Sequence, residues 1–355
     1  MELTPPCWVD IALPSFARNI AHACATLAQD ARLMVAVKSD AYGHGEREIA
    51  ATALKSGAHS LAVLDIDTGV RLRPHVGEAM MLAWLLSPQD DFAAAEKSRI
   101  DLGISGMWQL EKIERDVASG PLAIHLKIDT GLHRNGALPA DWLALCEAAK
   151  NLEGKGVVHI RGIWSHLSDT SLEENVESLR RFHAAVAEAR SVGVNPELLH
   201  IAASAAATDL PESRLDLVRV GISVYGVSPF DDRSAQSMGF HPVMSPKAFI
   251  TQVDSEAQTA RCGMGYGEGL LTLPQDTGWV SLHGTAVPLH HVDVDHCVLR
   301  IPEGTVVAVG DVVTLWGDPD NGSPSAEDWA LWAGTIGDEV VSSLSARVER
   351  RVIRD

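Results

Sequence analysis

From about residue 30 to residue 225, eight short apolar runs alternate with helical stretches, and this alternation restricts the fold more than any other feature. The runs are Leu33–Val37, Ser60–Leu64, Ala79–Leu85, Ile100–Ser105, Ala123–Ile128, Val157–Trp164, Leu198–Ala202 and Leu217–Val220. Leu33–Val37 is apolar without interruption, and such a run reads as a strand covered on both faces, as in a parallel sheet. Val176, Leu179, Val186 and Ala189 fall on one helical face between Ser171 and Arg190, and Pro-Ala-Asp at 139–141 opens another helix. Eight strands with helices between them give an α/β fold, a (β/α)8 TIM-type barrel. A doubly wound open sheet fits the alternation almost as well. Near Phe230 the pattern changes to period-2 segments and Gly/Pro/Asp turns, with Val280–Leu282, Val292–Leu299, Val306–Val309 and Val312–Trp316 as short strands. The expected division is a barrel over 1–230 and a smaller all-β C-terminal domain over 231–355, which the N-terminal strand around 7–12 can join.

The chain has 355 residues, enough for one large and one smaller domain. A formal net charge of −18 argues against nucleic acid or an anionic membrane surface as the main partner. It does not fix the sign of a buried pocket. No basic-then-apolar leader opens the sequence, and no apolar run has the length of a membrane span. The five cysteines are scattered without a C-x-x-C pair and read as reduced thiols of a cytoplasmic protein.

Barrel chemistry sits on the loops after the strands, which gives an internal test. Lys38 follows the first run, ahead of Tyr42-Gly43-His44-Gly45. A lysine at the end of a core strand can snorkel outward, or can lose proton affinity through desolvation and serve in Schiff-base chemistry. The strand alone favours the first reading. Arg134 and Lys127 flank the fifth strand end, His166 follows the sixth, Ser204 follows the seventh, and Arg219 lies in the eighth run. Cations at four separate strand ends are unusual for a scaffold and point to a binding site.

Ala36-Val37-Lys38-Ser39-Asp40-Ala41-Tyr42-Gly43-His44-Gly45 resembles the cofactor-lysine signature of the alanine racemase family, fold-type III enzymes with a barrel and a β domain. The resemblance covers nearly the whole chain. It implies that Lys38 holds pyridoxal 5′-phosphate, with Tyr42 as a cofactor contact. Lys127-Ile128-Asp129-Thr130-Gly131 with Arg134 is similar to the segment whose arginine meets the cofactor and the substrate carboxylate, a role suited to a guanidinium fork. Lys127 matches a lysine often carbamylated in the family, although an ordinary ion-paired lysine fits the sequence equally. His166 matches a histidine lying against the cofactor ring. Ser204 matches a phosphate-binding helix start, where Ala203 replaces a usual Asn. In Asp216–Gly226 the resemblance implies that Arg219 donates to the pyridine nitrogen and that Gly221 and Ile222 offer N–H groups to the phosphate. An arginine there keeps its proton and leaves the ring a weaker electron sink.

Racemisation needs proton handling on both faces of Cα. Tyr266, in the glycine-rich Gly263-Met264-Gly265-Tyr266-Gly267-Glu268-Gly269, matches the family tyrosine that enters the other subunit's site, so the resemblance implies a homodimer with shared active sites. Four glycines in seven residues also indicate a tight, exposed turn open to close approach. His291–Cys297 suggests metal ligands at first sight, but strand alternation scatters its side chains and no metal is expected. It aligns instead with a segment in which Val294 replaces a Met whose backbone N–H meets the substrate carboxylate, and Asp295 is retained. Trp279 and Ala346 replace tyrosines of substrate entry and phosphate binding. The expected activity is pyridoxal-phosphate-dependent racemisation of alanine, with catalytic residues Lys38 and Tyr266. Alternatives are racemisation of another amino acid such as serine, a non-racemising cofactor-binding barrel, or a two-domain decarboxylase.

Overall fold

The computed structural model describes residues 6–355, which divide by contacts into two compact units. A first strand, β1 (Cys7–Ala12), belongs to the second unit described below. The unit spanning residues 20–38 and 50–221 contains eight parallel strands: β2 (Arg32–Ala36), β3 (Ser60–Leu64), β4 (Met80–Ala83), β5 (Ile100–Ile104), β6 (Leu122–Lys127), β7 (Val158–Trp164), β8 (Leu198–His200) and β9 (Leu217–Val220). Their order is β8-β7-β6-β5-β4-β3-β2-β9. The Asp216 N–H donates to Leu199 O and the Arg219 N–H to Ala202 O, both at 3.1 Å, so the two ends of the sheet meet and the barrel closes. The open-sheet alternative is thereby excluded. One cluster of the core is Met34, Ala62, Leu82, Leu198 and Leu217, one residue from each of five strands.

The helix expected at 139–141 runs from Pro139 to Gly154. The one around Val176 runs from Leu172 to Ser191, and Ser171 caps it by accepting from the Glu174 N–H. Its buried face is Leu179, Phe182, Ala185, Val186 and Ala189, with Asn175 and Ser178. Val176 is exposed, because it sits roughly a third of a turn away from the centre of that face.

The second unit comprises the described residues up to Asn19, residues 39–49 and residues 222–355. Its strands are β1, β10 (Met244–Asp254), β11 (Thr259–Cys262), β12 (Trp279–Leu282), β13 (Thr285–Val292), β14 (Cys297–Arg300), β15 (Val312–Thr314) and β16 (Glu349–Ile353). The order is β11-β14-β13-β12-β15-β10-β1-β16, and β10 also pairs with β11, closing six strands into a ring. Three local expectations fail here. The run 292–299 is not one strand: Val292 ends β13, residues 293–296 turn, and 297–299 begin β14, the turn being pinned by an Asp293 N–H bond to His296 O at 2.8 Å. Val306 and Val309 are exposed and outside any strand. Two helices, Ala326–Ala333 and Gly337–Ser342, occur where only turns were expected. The first has a Ser325/Asp328 capping box and a Gly334 C-cap, both legible in the sequence. Cys262 and Cys297 are register partners, with Sγ atoms 2.7 Å apart.

Candidate active site

In the barrel unit the C-terminal ends of the strands gather the expected cations. Lys38 is half-buried just beyond β2, where the Val37 N–H still bonds across to Ala62 O at 3.0 Å. Directly after it, Ser39, Asp40, Ala41 and Tyr42 all have φ of 52–54°, a full left-handed turn without glycine. Such backbone costs about 1–2 kcal/mol per residue. It persists because its carbonyls are held. The buried His44 Nδ1 lies 3.0 Å from Ala41 O and 2.9 Å from Tyr42 O, and the Glu46 N–H donates to Asp40 Oδ1 at 2.8 Å. Burial pushes His44 down to about 4, so it stays a neutral clamp. A Cβ on Gly43 (φ +76°) would meet Val341 O at 2.7 Å. The Tyr-Gly-His-Gly sequence is therefore the device that turns the chain sharply after the lysine. Tyr42 is buried against Tyr225 with ring centroids 5.0 Å apart, and burial raises its phenol well above the ordinary range.

Lys127 closes β6, buried, with Nζ 4.3 Å from the centre of the Trp164 ring. Burial, then Arg219 and Arg134, lower it to about 7. The loop 129–136 folds back on the strand through Asp129 N–H to Ala137 O at 2.9 Å and Ala137 N–H to Lys127 O at 2.8 Å. Asp129 organises the loop by accepting from the N–H groups of Gly131 and His133, leaving Arg134 exposed at its tip.

Arg219 on β9 is the organising group. It is buried and donates to Ser165 O at 2.7 Å, Ile201 O at 3.0 Å, His166 Nδ1 at 3.1 Å and His200 Nδ1 at 2.9 Å. Burial lowers it to about 9, still protonated at neutral pH. His166 is held well below the ordinary histidine range by burial and by Arg219, Arg134, Lys127 and Lys38, in that order. It accepts from Arg219 at Nδ1 and so carries its proton on Nε2. Ser204 begins the helix Ser204–Asp209, and its Oγ accepts from the Gly221 N–H at 3.1 Å, which brings two of the expected phosphate contacts together. Ile222 follows directly and is buried at the start of a short 3-10 turn.

In the other unit, Tyr266 starts a 3-10 turn after β11 and is half exposed. Its N–H donates to Asp293 O at 2.9 Å and that of Gly267 to Val294 O at 2.7 Å. The glycines are needed because a Cβ on Gly265 would run into Asp293 O, Val294 O and His296 N. The Tyr266 turn is thus seated on the 293–296 turn. Val294 and Asp295 are exposed there. The Val294 N–H donates to Asp293 Oδ1 at 2.8 Å, so any other acceptor at that N–H would have to displace the side chain. His296 donates to Asp295 at 2.8 Å and lowers its carboxyl.

The barrel mouth suits an anionic ligand. Lys38, Lys127, Arg134 and Arg219 all act on one imidazole, while the nearby carboxyl of Asp169 is raised by burial. A phosphorylated aldehyde with a phenolic oxygen, together with an amino-acid carboxylate, matches this charge on an otherwise acidic chain. Ser165, Trp164 and His200 are parts of the site that the sequence reading missed. Ser165 donates to Ile128 O at 2.7 Å, and Trp164 stacks on His200 at an interplanar angle of 12°.

The chain is similar to known proteins over nearly its whole length. The family models for the alanine racemase N-terminal and C-terminal domains match residues 11–229 and 248–352. The chain is 37% identical to an alanine racemase of Frankia casuarinae, covering 92% of this chain and 91% of the relative. It is 34% identical to one of Thermobifida fusca, covering 96% of each. Among solved structures, the alanine racemase of D-cycloserine-producing Streptomyces lavendulae superposes with a TM-score of 0.94 at 31% identity, over 100% of this chain and 98% of that one. That of Streptomyces coelicolor A3(2) gives 0.94 at 31%, over 99% and 98%.

Proposed function

The chain belongs to the alanine racemase family, pyridoxal-phosphate-dependent isomerases, and we propose that it interconverts L- and D-alanine by two-base proton transfer. The observation that carries this reading is the cluster of Lys38, Lys127, Arg134 and Arg219 around His166 at the C-terminal mouth of the barrel. Bound pyridoxal phosphate supplies the electron-withdrawing ring that acidifies the alanine Cα–H. Lys38 holds the cofactor, and its Nζ moves the proton on one face of Cα. The Tyr266 Oη moves it on the other. Ser204, Gly221, Ile222 and Tyr42 bind the phosphate end. Arg134 and the Val294 N–H hold the substrate carboxylate, with Lys127 and Asp295 in support. Arg219 cannot give up its proton and keeps the ring nitrogen unprotonated.

Tyr266 is delivered by a second copy of the chain, making a homodimer with shared sites. Its half-exposed side chain on a firmly seated turn supports this. The site of action is the cytoplasm. In support, the five cysteines are free thiols, and no helix among the described residues is long and apolar enough to cross a membrane. The test is incubation of the loaded protein with L-alanine, L-serine and L-lysine, each assayed for the D-form by chiral chromatography. D-alanine forming fastest supports the reading, faster D-serine moves the assignment to a serine racemase, and no D-form refutes racemisation.

A further inference from the structure

The barrel interior is not apolar throughout. On β5, β6, β7 and β8 lie four buried or half-buried polar side chains that no expectation used: Asp101, His125, Arg161 and His200. They form one hydrogen-bonded line that begins at Arg219. Arg219 Nη1 lies 2.9 Å from His200 Nδ1. His200 Nε2 lies 2.9 Å from His125 Nδ1, and His125 Nε2 lies 3.1 Å from Asp101 Oδ2. Arg161 Nη1 meets both Asp101 oxygens, at 2.8 and 2.6 Å. The line has its own space. His125 is the register partner of Gly162, where any Cβ would strike the imidazole. His200 is further held between His125, edge-on, and the stacked Trp164.

The two ends determine every proton between them. A guanidinium only donates, so His200 Nδ1 must accept, and its proton is on Nε2. That proton needs an acceptor, which is His125 Nδ1. His125 therefore also carries its proton on Nε2, and donates it to a carboxylate, which only accepts. All three bonds point from Arg219 towards Asp101. Burial, then Arg219 and His125, keep His200 from charging. Reversing either ring would set N–H against N–H at one joint and leave two lone pairs facing each other at another. Both defects lie in a dry interior where an unmade bond costs most.

We propose that Asp101 and His125 are positioning residues for the reaction: through the His200 tautomer they hold the Arg219 guanidinium in the orientation the chemistry uses. The proposal rests on the role given to Arg219 above. The Arg161 side chain, about a third exposed, secures the carboxylate from the solvent side. A wrong imidazole tautomer disables catalysis while leaving the surrounding geometry intact, and loss of such outer partners costs about tenfold or more.

The experiment compares Asp101→Leu, which removes the terminal acceptor, with Asp101→Asn, which keeps an acceptor oxygen. In cofactor-free protein with 15N-labelled histidine, two-bond 1H–15N correlation spectra read each tautomer. Wild type and Asp101→Asn are expected to show Nε2–H for both rings at neutral pH. In Asp101→Leu the Arg219 end still favours Nε2–H on both rings, but the His125 proton has lost its acceptor. Both rings are then expected to populate Nδ1–H in part, with the Arg219 guanidinium turned away from His200 whenever they do. In the loaded enzyme Asp101→Leu should lose about tenfold in kcat with KM changed less than about twofold, and Asp101→Asn should recover most of the loss. Nδ1–H on either wild-type ring overturns the proposal, whatever the stability of the variants. So does a shifted tautomer with unchanged kcat. If wild type shows both expected tautomers but no racemisation, the functional reading fails separately and the assigned proton positions stand.

Discussion

Burial and the charges of Arg219 and Arg134 bring Lys127 from the 10.5 of a free lysine to about 7. The protonated form is thus disfavoured in the folded state by about 5 kcal/mol relative to the unfolded chain. The penalty is absent above the unfolded value and complete below the folded one, so stability rises with pH across the window from about 7 to 10.5. Lys127→Met removes the titrating group and keeps an apolar side chain of similar length over Trp164. Between about pH 6.5 and 8.5, wild type should gain about 2 kcal/mol more stability than the variant. His166 and His200 are held below the ordinary histidine range and contribute mainly below this window; Lys127→Met removes one of the cations that lower His166, while burial, Arg219 and Arg134 ahead of it remain. Urea unfolding of the cofactor-free proteins in bicarbonate-free buffer at the two pH values measures the difference. Equal pH dependence in wild type and variant would refute the claim that Lys127 is buried among cations.

The same lowered value leaves about half of Lys127 neutral near pH 7, against well under a thousandth of a free lysine. Its amine should therefore add CO2 to give a carbamate and a proton, and 13C-bicarbonate should produce a carbamate resonance that Lys127→Gln abolishes. Gly265→Ala forces a Cβ into Asp293 O, Val294 O and His296 N. It should cut racemisation at least tenfold, in line with the cost of small displacements of a positioned group, while cofactor absorbance is retained. Mixing two inactive proteins, Lys38→Ala and Tyr266→Phe, after subunit exchange should restore up to about a quarter of wild-type activity per site, because one site of each mixed dimer is intact. No recovery in demonstrated mixed dimers places Tyr266 in its own chain's site or outside catalysis.

The barrel was legible because its strands are short, predominantly apolar segments, and Ser60–Leu64 and Leu217–Val220 have the expected bounds. The β domain was less so. β10 reads as a strand only once its alternating burial over Met244–Ile250 is known, since Pro246 and the polar Thr251, Gln252 and Asp254 obscure the pattern. The 293–296 turn looked like strand because Val-Asp-Val-Asp alternates, and only the bonds from Tyr266 and Gly267 show what it is for. At the barrel mouth, cations after strands gave themselves away as charges where a scaffold needs none. Asp101, His125 and His200 did not, because a polar residue within an apolar run has no visible partner until the strands are laid side by side. Gly162, inside a strand and opposite His125, was the one local clue.

The central claim is that Lys38 holds the cofactor. Borohydride reduction of the loaded protein, followed by proteolysis and mass spectrometry, tests it most directly. The account predicts a pyridoxyl group on the peptide containing Lys38 and loss of the label in Lys38→Ala. A label on Lys127 or any other lysine, or no covalent label at all, would contradict it.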